Sequence, residues 1–247
     1  MKSLENVLIL VFIAIAAITT SCNEKQQEES SQDENNCTNI ANSDGIQNGD
    51  LVFVGLPLDY NVTDTTDMCS GIVSATGDSI GINYIHVAIA EVANDSVWII
   101  DATLKHGVDR HPLDTFLCDF TLSDGSLPRL DIMRLTDNSN AAKYVENAKK
   151  FVGRGYDLYF QPDNKEQYCS ELVRNSYITD KGEHIFTEAP MNFKSNDGEF
   201  PPYWVWLFEQ IGQPIPQGVP GTNPNAMSKE KCLKKINIML NEYSKDK

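Results

Sequence analysis

Tyr168-Cys169-Ser170-Glu171-Leu172-Val173 joins a polar, turn-rich loop to a run in which Leu172, Val173, Ser176 and Tyr177 recur at helical spacing. The pattern predicts an amphipathic helix whose N-terminus lies at Cys169 or within a residue or two of it. Unpaired backbone N–H groups and the positive end of the helix dipole favour a thiolate there, and the thiolate is the nucleophilic form of cysteine. The same N–H groups would hold a developing oxyanion. A free cysteine also serves commonly as a small buried hydrophobe, so the position alone does not decide between reactive and structural roles.

Upstream, two strands carry the next informative polar groups. Ile82 to Val92 is apolar on both faces, the pattern of a strand covered on both sides, and His86 stands in its middle. Val97 to Ala102 follows the turn Asn94-Asp95, so the two read as a hairpin, and Asp101 closes the apolar part of the second strand. Taken singly, a mid-strand histidine reads as a satisfied core residue and a strand-end aspartate as a turn cap. Taken together on adjacent strands, they would bring a base beside its orienting carboxylate.

The rest of the domain is read around these elements. Leu51 to Val54 is a short buried strand after Gly49-Asp50, and Pro57 ends it. The polar stretch from Asn61 to Asp78 reads as a long loop or a short helix. Gly107-Val108 and Pro112 to Leu117 read as a loop leading into a short helix, and Leu130 to Leu135 as a strand. Asp137, Asn138 or Ser139 caps a helix whose apolar face is Ala141, Tyr144, Val145, Ala148 and Phe151, ending at Gly153. A further helix begins at Pro201-Pro202 with proline in its first turn. Its Trp204, Trp206 and Phe208 read either as core or as the wall of an apolar groove. Gly218 to Pro224 is rigid turn chemistry, and Lys229 to Lys247 reads as a basic, helix-like tail. His106, His111 and His184 read as surface or loop histidines.

The chain of 247 residues has 20 Lys and Arg against 35 Asp and Glu, a formal charge of −15, which argues against nucleic acid and against docking on anionic lipid through a basic patch. At the amino terminus Lys2 precedes an apolar run from Val7 to Ile18, the length of a signal h-region and too short to span a bilayer. Thr19-Thr20-Ser21 then leads to Cys22. This resembles a bacterial lipoprotein cleavage site, with Cys22 lipidated, although Thr19 occupies the place where leucine is usual; cleavage nearby by an ordinary signal peptidase is the alternative. Residues 1–21 are thus expected as a signal peptide, 22–44 as a disordered acidic tether, and 45–247 as one folded domain anchored to a membrane of the cell envelope. Cys37, Cys69, Cys118 and Cys232 remain as an even set that would allow two bridges in an oxidising compartment, with the pairing open. No Cys/His spacing resembles a metal site, and no metal is expected.

The order Gly49-Asp50-Leu51-Val52-Phe53, Tyr84-Ile85-His86-Val87-Ala88-Ile89, Ile100-Asp101-Ala102, Gly155-Tyr156-Asp157, Tyr168-Cys169-Ser170-Glu171-Leu172-Val173 and Pro220-Gly221-Thr222-Asn223-Pro224 resembles the YiiX-type permuted papain-like enzymes of the NlpC-like cysteine peptidase superfamily. The likeness runs from about Gly49 to about Pro224. It implies an α+β fold, circularly permuted, with an antiparallel sheet packed against helices and with histidine preceding cysteine in the chain. It further implies Cys169 as nucleophile, His86 as general base and, in a position where the family often has Glu, Asp101 as the orienting group. Tyr168 and Ser170 are the candidates beside the oxyanion site.

The activity implied is hydrolysis of an amide, in a cell-wall peptide or an acylated small molecule, through a thioester and without a cofactor. A lipid-directed acyltransferase or esterase on the same fold is the second reading, and a non-catalytic binding lipoprotein the third. A monomer is expected.

Overall fold

The structure is a computed structural model that describes residues 44–57, 67–77, 81–122, 125–162, 164–238 and 240. The expected signal peptide, nearly all of the expected tether, and Cys22 and Cys37 lie outside the described residues.

Among the described residues, one antiparallel sheet organises the chain: β1 (Leu51–Pro57), β2 (Ile82–Ala93), β3 (Ser96–Thr103), β4 (Gly107–Pro112), β5 (Arg129–Leu135) and β8 (Leu233–Ile236), in the order β4-β3-β2-β1-β5-β8. The helices are α1 (Met68–Thr76), α2 (Leu113–Asp119), α3 (Ala141–Lys149), α4 (Cys169–Ser176), α5 (Pro202–Ile211) and α6 (Pro224–Met227). A two-stranded ribbon of β6 (Ala189–Pro190) and β7 (Pro220–Gly221) completes the fold.

The period-2 pattern of the strands gives the sheet two buried faces. Leu51, Phe53, Val87, Ile89 and Ile100 point to one face, where they pack with Tyr144, Val145 and Ala148 of α3 and with Leu172 and Val173 of α4. Their neighbours Val52, Val54, Ala88, Ala90 and Ile99 point to the other, against Leu113, Phe116 and Leu117 of α2. Each fully buried Val, Leu, Ile or Phe among them contributes about 1.5–3 kcal/mol relative to exposure. A third apolar cluster gathers Phe160, Tyr168, Met191 and Phe193 onto Tyr203, Trp204, Leu207 and Phe208 of α5. Asn94 and Asp95, with φ of 51° and 59°, form the expected tight turn between β2 and β3; two successive left-handed residues match the twist of the strands they join.

Several expectations change. The segment from Gly107 is a strand, pairing with β3 from Thr103↔Gly107 to Trp98↔Pro112. Its sequence, Gly-Val-Asp-Arg-His-Pro, is that of a polar edge strand, which carries no apolar alternation to read. The basic tail expected as a helix contains β8, paired with β5 at the opposite edge; Lys234 and Lys235 are exposed there, in keeping with lysine on edge strands. Helix α3 begins after Asn140 and makes no side-chain cap, while Asp137 accepts from Ser139 N at 3.1 Å in the preceding turn. It ends at Lys149, short of Gly153, because Gly153 N turns to donate to Val108 O at 2.8 Å and ties this segment to β4. Among the described residues Cys69, Cys118 and Cys232 form no disulfide with one another, since they stand on α1, on α2 and ahead of β8.

Candidate active site

Cys169 is the first residue of α4, with the preceding Tyr168 extended at φ −96° and ψ 168°. Glu171 reaches back to accept from Tyr168 N at 3.3 Å, half of a capping box. The side chains of Tyr168 and Ser170 are both held by Thr222. Thr222 N donates to the Tyr168 hydroxyl at 3.0 Å, and Thr222 Oγ1 donates to Ser170 Oγ at 2.9 Å. These bonds pin the start of α4 to the β7–α6 connection. Gly221 makes the approach feasible, because a Cβ there would lie 2.5 Å from Met191 Sδ and 2.8 Å from the Tyr168 hydroxyl.

A bulge in β2 sets His86. Val54 pairs with His86 and Gly55 with Tyr84, so Ile85 has no partner in β1 and the strand turns locally. His86 Nε2 lies 2.8 Å from Asp101 Oδ2 on β3, and its ring packs against Phe120 at 4.8 Å between centroids. With Nε2 engaged by Asp101, the ring still feels the Cys169 side chain electrostatically. The three groups expected from the sequence are therefore brought together, and Cys169 and Asp101 are only 6% and 1% exposed.

Electrostatics couples the three. Burial alone would lower the pKa of His86, but a negative charge on Cys169 and the hydrogen bond to Asp101 outweigh it and push the imidazole up to about 10. Burial likewise favours a protonated Asp101, and the donors from His111 and His86 overcome it, holding the carboxyl at about 2.

His111 was expected on the surface, yet it is 7% exposed and its Nε2 lies 3.0 Å from Asp101 Oδ1. Its strand was read as a loop, which removed the register that would have aimed it at Asp101. His106 and His184 are peripheral as expected: His106 lies 3.5 Å from Asp119, and His184 Nδ1 lies 3.0 Å from Arg174 O.

Cys169 opens into a pocket of about 60 Å³. Ile72, Ile85, Phe160, Met191, Phe193 and Trp204 supply apolar walls, Tyr156, Asn192, Thr222 and Asn223 are among its polar ones, and no charged side chain lines it among the described residues. Of the aromatic residues considered for such a groove, Trp204 lines it, whereas Trp206 and Phe208 pack with the α5 cluster outside it. Asp157 positions Phe160 by accepting from the N–H groups of Tyr159, Phe160 and Gln161 at 2.8, 3.1 and 3.1 Å. Tyr156 is held well above the usual tyrosine range by burial and by the charge of Cys169, so its hydroxyl keeps its proton. A larger cleft of about 440 Å³ shares the Met191, Thr222 and Asn223 wall but is not lined by Cys169.

Helix-borne cysteine, strand-borne histidine and the order of the two in the chain define a permuted papain-like protein. The chain belongs to the permuted papain-like amidase enzyme family YaeF/YiiX, C92, whose profile matches residues 45–237. Among solved structures it is similar to the crystal structure of metalloprotein yiiX from Escherichia coli O157:H7, with a TM-score of 0.57 and 21% identity over 78% of this chain and 97% of that one. At that identity the likeness bears on the fold, and the mixed helix and antiparallel sheet architecture agrees with it. No curated protein matches the chain. Among the described residues, no group of three or more His, Cys, Asp and Glu side chains is arranged to hold a metal ion. Asp101 and the Nε2 atoms of His86 and His111 are engaged with one another.

Proposed function

We propose that this family member is a cysteine amidase acting on an acylated small molecule, with Cys169 as nucleophile, His86 as general base and Asp101 as its positioning carboxylate. The observation that carries the reading is that Cys169, at the start of α4, couples electrostatically to His86, which is bonded to Asp101, and that Cys169 opens into a pocket whose described lining is mainly apolar and uncharged.

An ionised carboxylate only accepts, so His86 donates through Nε2 and offers Nδ1 to the thiol. Proton transfer from Sγ to Nδ1 gives a thiolate–imidazolium pair. The thiolate attacks the carbonyl carbon, the C–S bond forms, and the π electrons move to oxygen. N–H groups in the first turn of α4 and the Tyr156 hydroxyl are the donors for that oxyanion, and one such donor is worth about 3 kcal/mol. Collapse breaks the C–N bond as His86 gives its proton to the leaving amine. His86 then takes a proton from water, which attacks the thioester and releases the acid and Cys169.

The described lining favours an apolar acyl group over a cell-wall stem peptide, whose carboxylates would find no cationic partner among the described residues of this pocket. The same lining also supports a lipid-directed acyltransferase or esterase, in which an alcohol donates or accepts the acyl group. The YiiX relative is described as a metalloprotein, and the steps above are written through this chain's own side chains. A lipid anchor at Cys22 would hold the domain at a membrane of the cell envelope, close to amphiphilic substrates.

Intact-mass spectrometry during turnover of N-acyl amides, O-acyl esters and peptidoglycan fragments tests the reading. It requires an acyl adduct on Cys169, lost in Cys169→Ala and resolved by water. Turnover confined to peptidoglycan fragments would contradict the substrate class, and binding without any adduct or product would make the protein a binding lipoprotein.

A further inference from the structure

One imidazole in the site takes no part in the steps above. His111 pairs with Ile99 while Asp101 pairs with Asp109, so His111 and Asp101 are diagonal neighbours on one face of β3 and β4. The result is a carboxylate gripped from two sides: Oδ2 by His86 at 2.8 Å and Oδ1 by His111 at 3.0 Å.

We propose that His111 is a positioning residue of the amidase: its Nε2–H holds the second oxygen of Asp101, keeping the carboxylate ionised and its plane fixed toward His86. The inference rests on the reading of Cys169 and His86 as nucleophile and base.

A buried carboxylate is stable as an anion only when donors satisfy it, and charge-assisted bonds from two rings do so on both oxygens. Two donors on opposite sides also stop rotation of the carboxylate about its terminal torsion, which one donor would not. Because Asp101 can only accept, the Nε2 of each ring must carry a hydrogen. That fixes the His86 tautomer with Nδ1 toward the thiol. It also leaves His111 Nδ1 outside the network, and that atom is buried without a hydrogen-bond partner among the described residues.

Nε2 keeps its hydrogen whether His111 is neutral or charged, so the grip does not depend on its protonation. The groups around His111 are Asp101 on β3, Asp109 on its own strand and Asp119 at the end of α2, with the His106 ring 6.4 Å away. Burial lowers its pKa, and these three carboxylates outweigh burial and raise it. Lys105 ion-pairs with Asp119 at 2.8 Å at the outer edge of this group. His86 faces His111 across Asp101.

Removing the imidazole leaves Oδ1 of a buried carboxylate without its donor, which raises its affinity for a proton and frees its orientation. In the full chain, His111→Ala is expected to slow iodoacetamide alkylation of Cys169 at neutral pH about ten- to a hundredfold, the scale of a small misplacement in a catalytic array. The acid limb of the alkylation profile moves to higher pH. His111→Gln, whose side-chain amide reaches the same oxygen, restores both.

His86→Ala is run beside them. A folded His111→Ala with the unsubstituted profile, where His86→Ala loses fast alkylation, overturns the inference and leaves the nucleophile and base standing. His86→Ala that alkylates like the unsubstituted chain overturns that pair, and the inference falls with it. The imidazole nitrogen resonances of the unsubstituted protein give an answer that needs no variant. An Nε2–H at His111 at neutral pH supports the inference, and an Nδ1–H tautomer contradicts it.

Discussion

The base half of the site stands on three consecutive antiparallel strands, whereas the cysteine half is gathered from segments spread between Ile72 and Pro224. His86, Asp101 and His111 come from β2, β3 and β4, within a span of 26 residues, and sheet register aims them. Cys169 depends instead on α4 being pinned by Thr222, on the turn at Asp157 that places Phe160, and on α5 that brings Trp204. The first half is held by polar bonds of fixed geometry and the second mostly by packing. Substitutions in the first should therefore change chemistry more than stability, and in the second stability and substrate choice more than chemistry.

The largest effect is expected where the polar half is cut at its centre. Asp101→Asn keeps the shape but presents an amide to two imidazole N–H groups, which forces at least one of them out of its tautomer. Turnover of an acyl amide should fall by roughly two to four orders of magnitude with a modest change in thermal midpoint. A variant with near-normal turnover would break the comparison.

Cutting the packed half should do the reverse. Phe193→Ala removes a buried ring that touches Phe160, Trp204 and Phe208, so chemical denaturation should show a loss of about 3–5 kcal/mol. The enlarged pocket should accept bulkier acyl groups, while the alkylation profile of Cys169 keeps its shape. A changed profile with an unchanged acyl preference would show that the two halves are not separable.

The smallest effect is the pH dependence of stability, and its sign separates the members of the polar half. Asp101 has its folded pKa depressed to about 2 from an ordinary value of 3.8. Its contribution is therefore full above about 4 and is lost as pH falls toward 2, amounting to about 2 kcal/mol. His86 is raised to about 10 from 6.5, so its contribution is full below about 6.5 and is lost as pH rises toward 10. Cys169→Ala removes two of the causes that raise His86 and should flatten the alkaline side of the denaturation profile while leaving the acid side in place.

What could be read from the sequence follows the same division. Apolar runs made β1, β2, β3 and β5 legible, and the helical spacing after Cys169 placed the start of α4 to within a residue or two. His86 and Asp101 stood out as polar groups in apolar strands. His111 did not, because β4 is a polar edge strand whose existence comes from pairing with β3 and not from its own pattern. The β8 strand was missed for the same reason: two lysines in four residues read as solvent-facing wherever they sit. The pocket was legible only as a choice between core and groove for the α5 aromatics. Trp204 and Phe208 differ by one helical turn, and only the packing of Phe160 and Phe193 against that helix separates the residue that lines the pocket from the one that does not. Thr222 lay within a quoted motif, but its two bonds to the start of α4 span more than fifty residues and leave no local trace.

The central claim is that Cys169 and His86 form a thiolate–imidazolium pair. It is tested most directly by the rate of iodoacetamide alkylation of Cys169 against pH in the domain with its flanking segments, beside His86→Ala. The account predicts fast alkylation that persists through neutral and into mildly acid pH, and that is lost when His86 is removed. Alkylation that rises only in the alkaline range, and identically in the variant, would contradict it and make Cys169 a structural thiol.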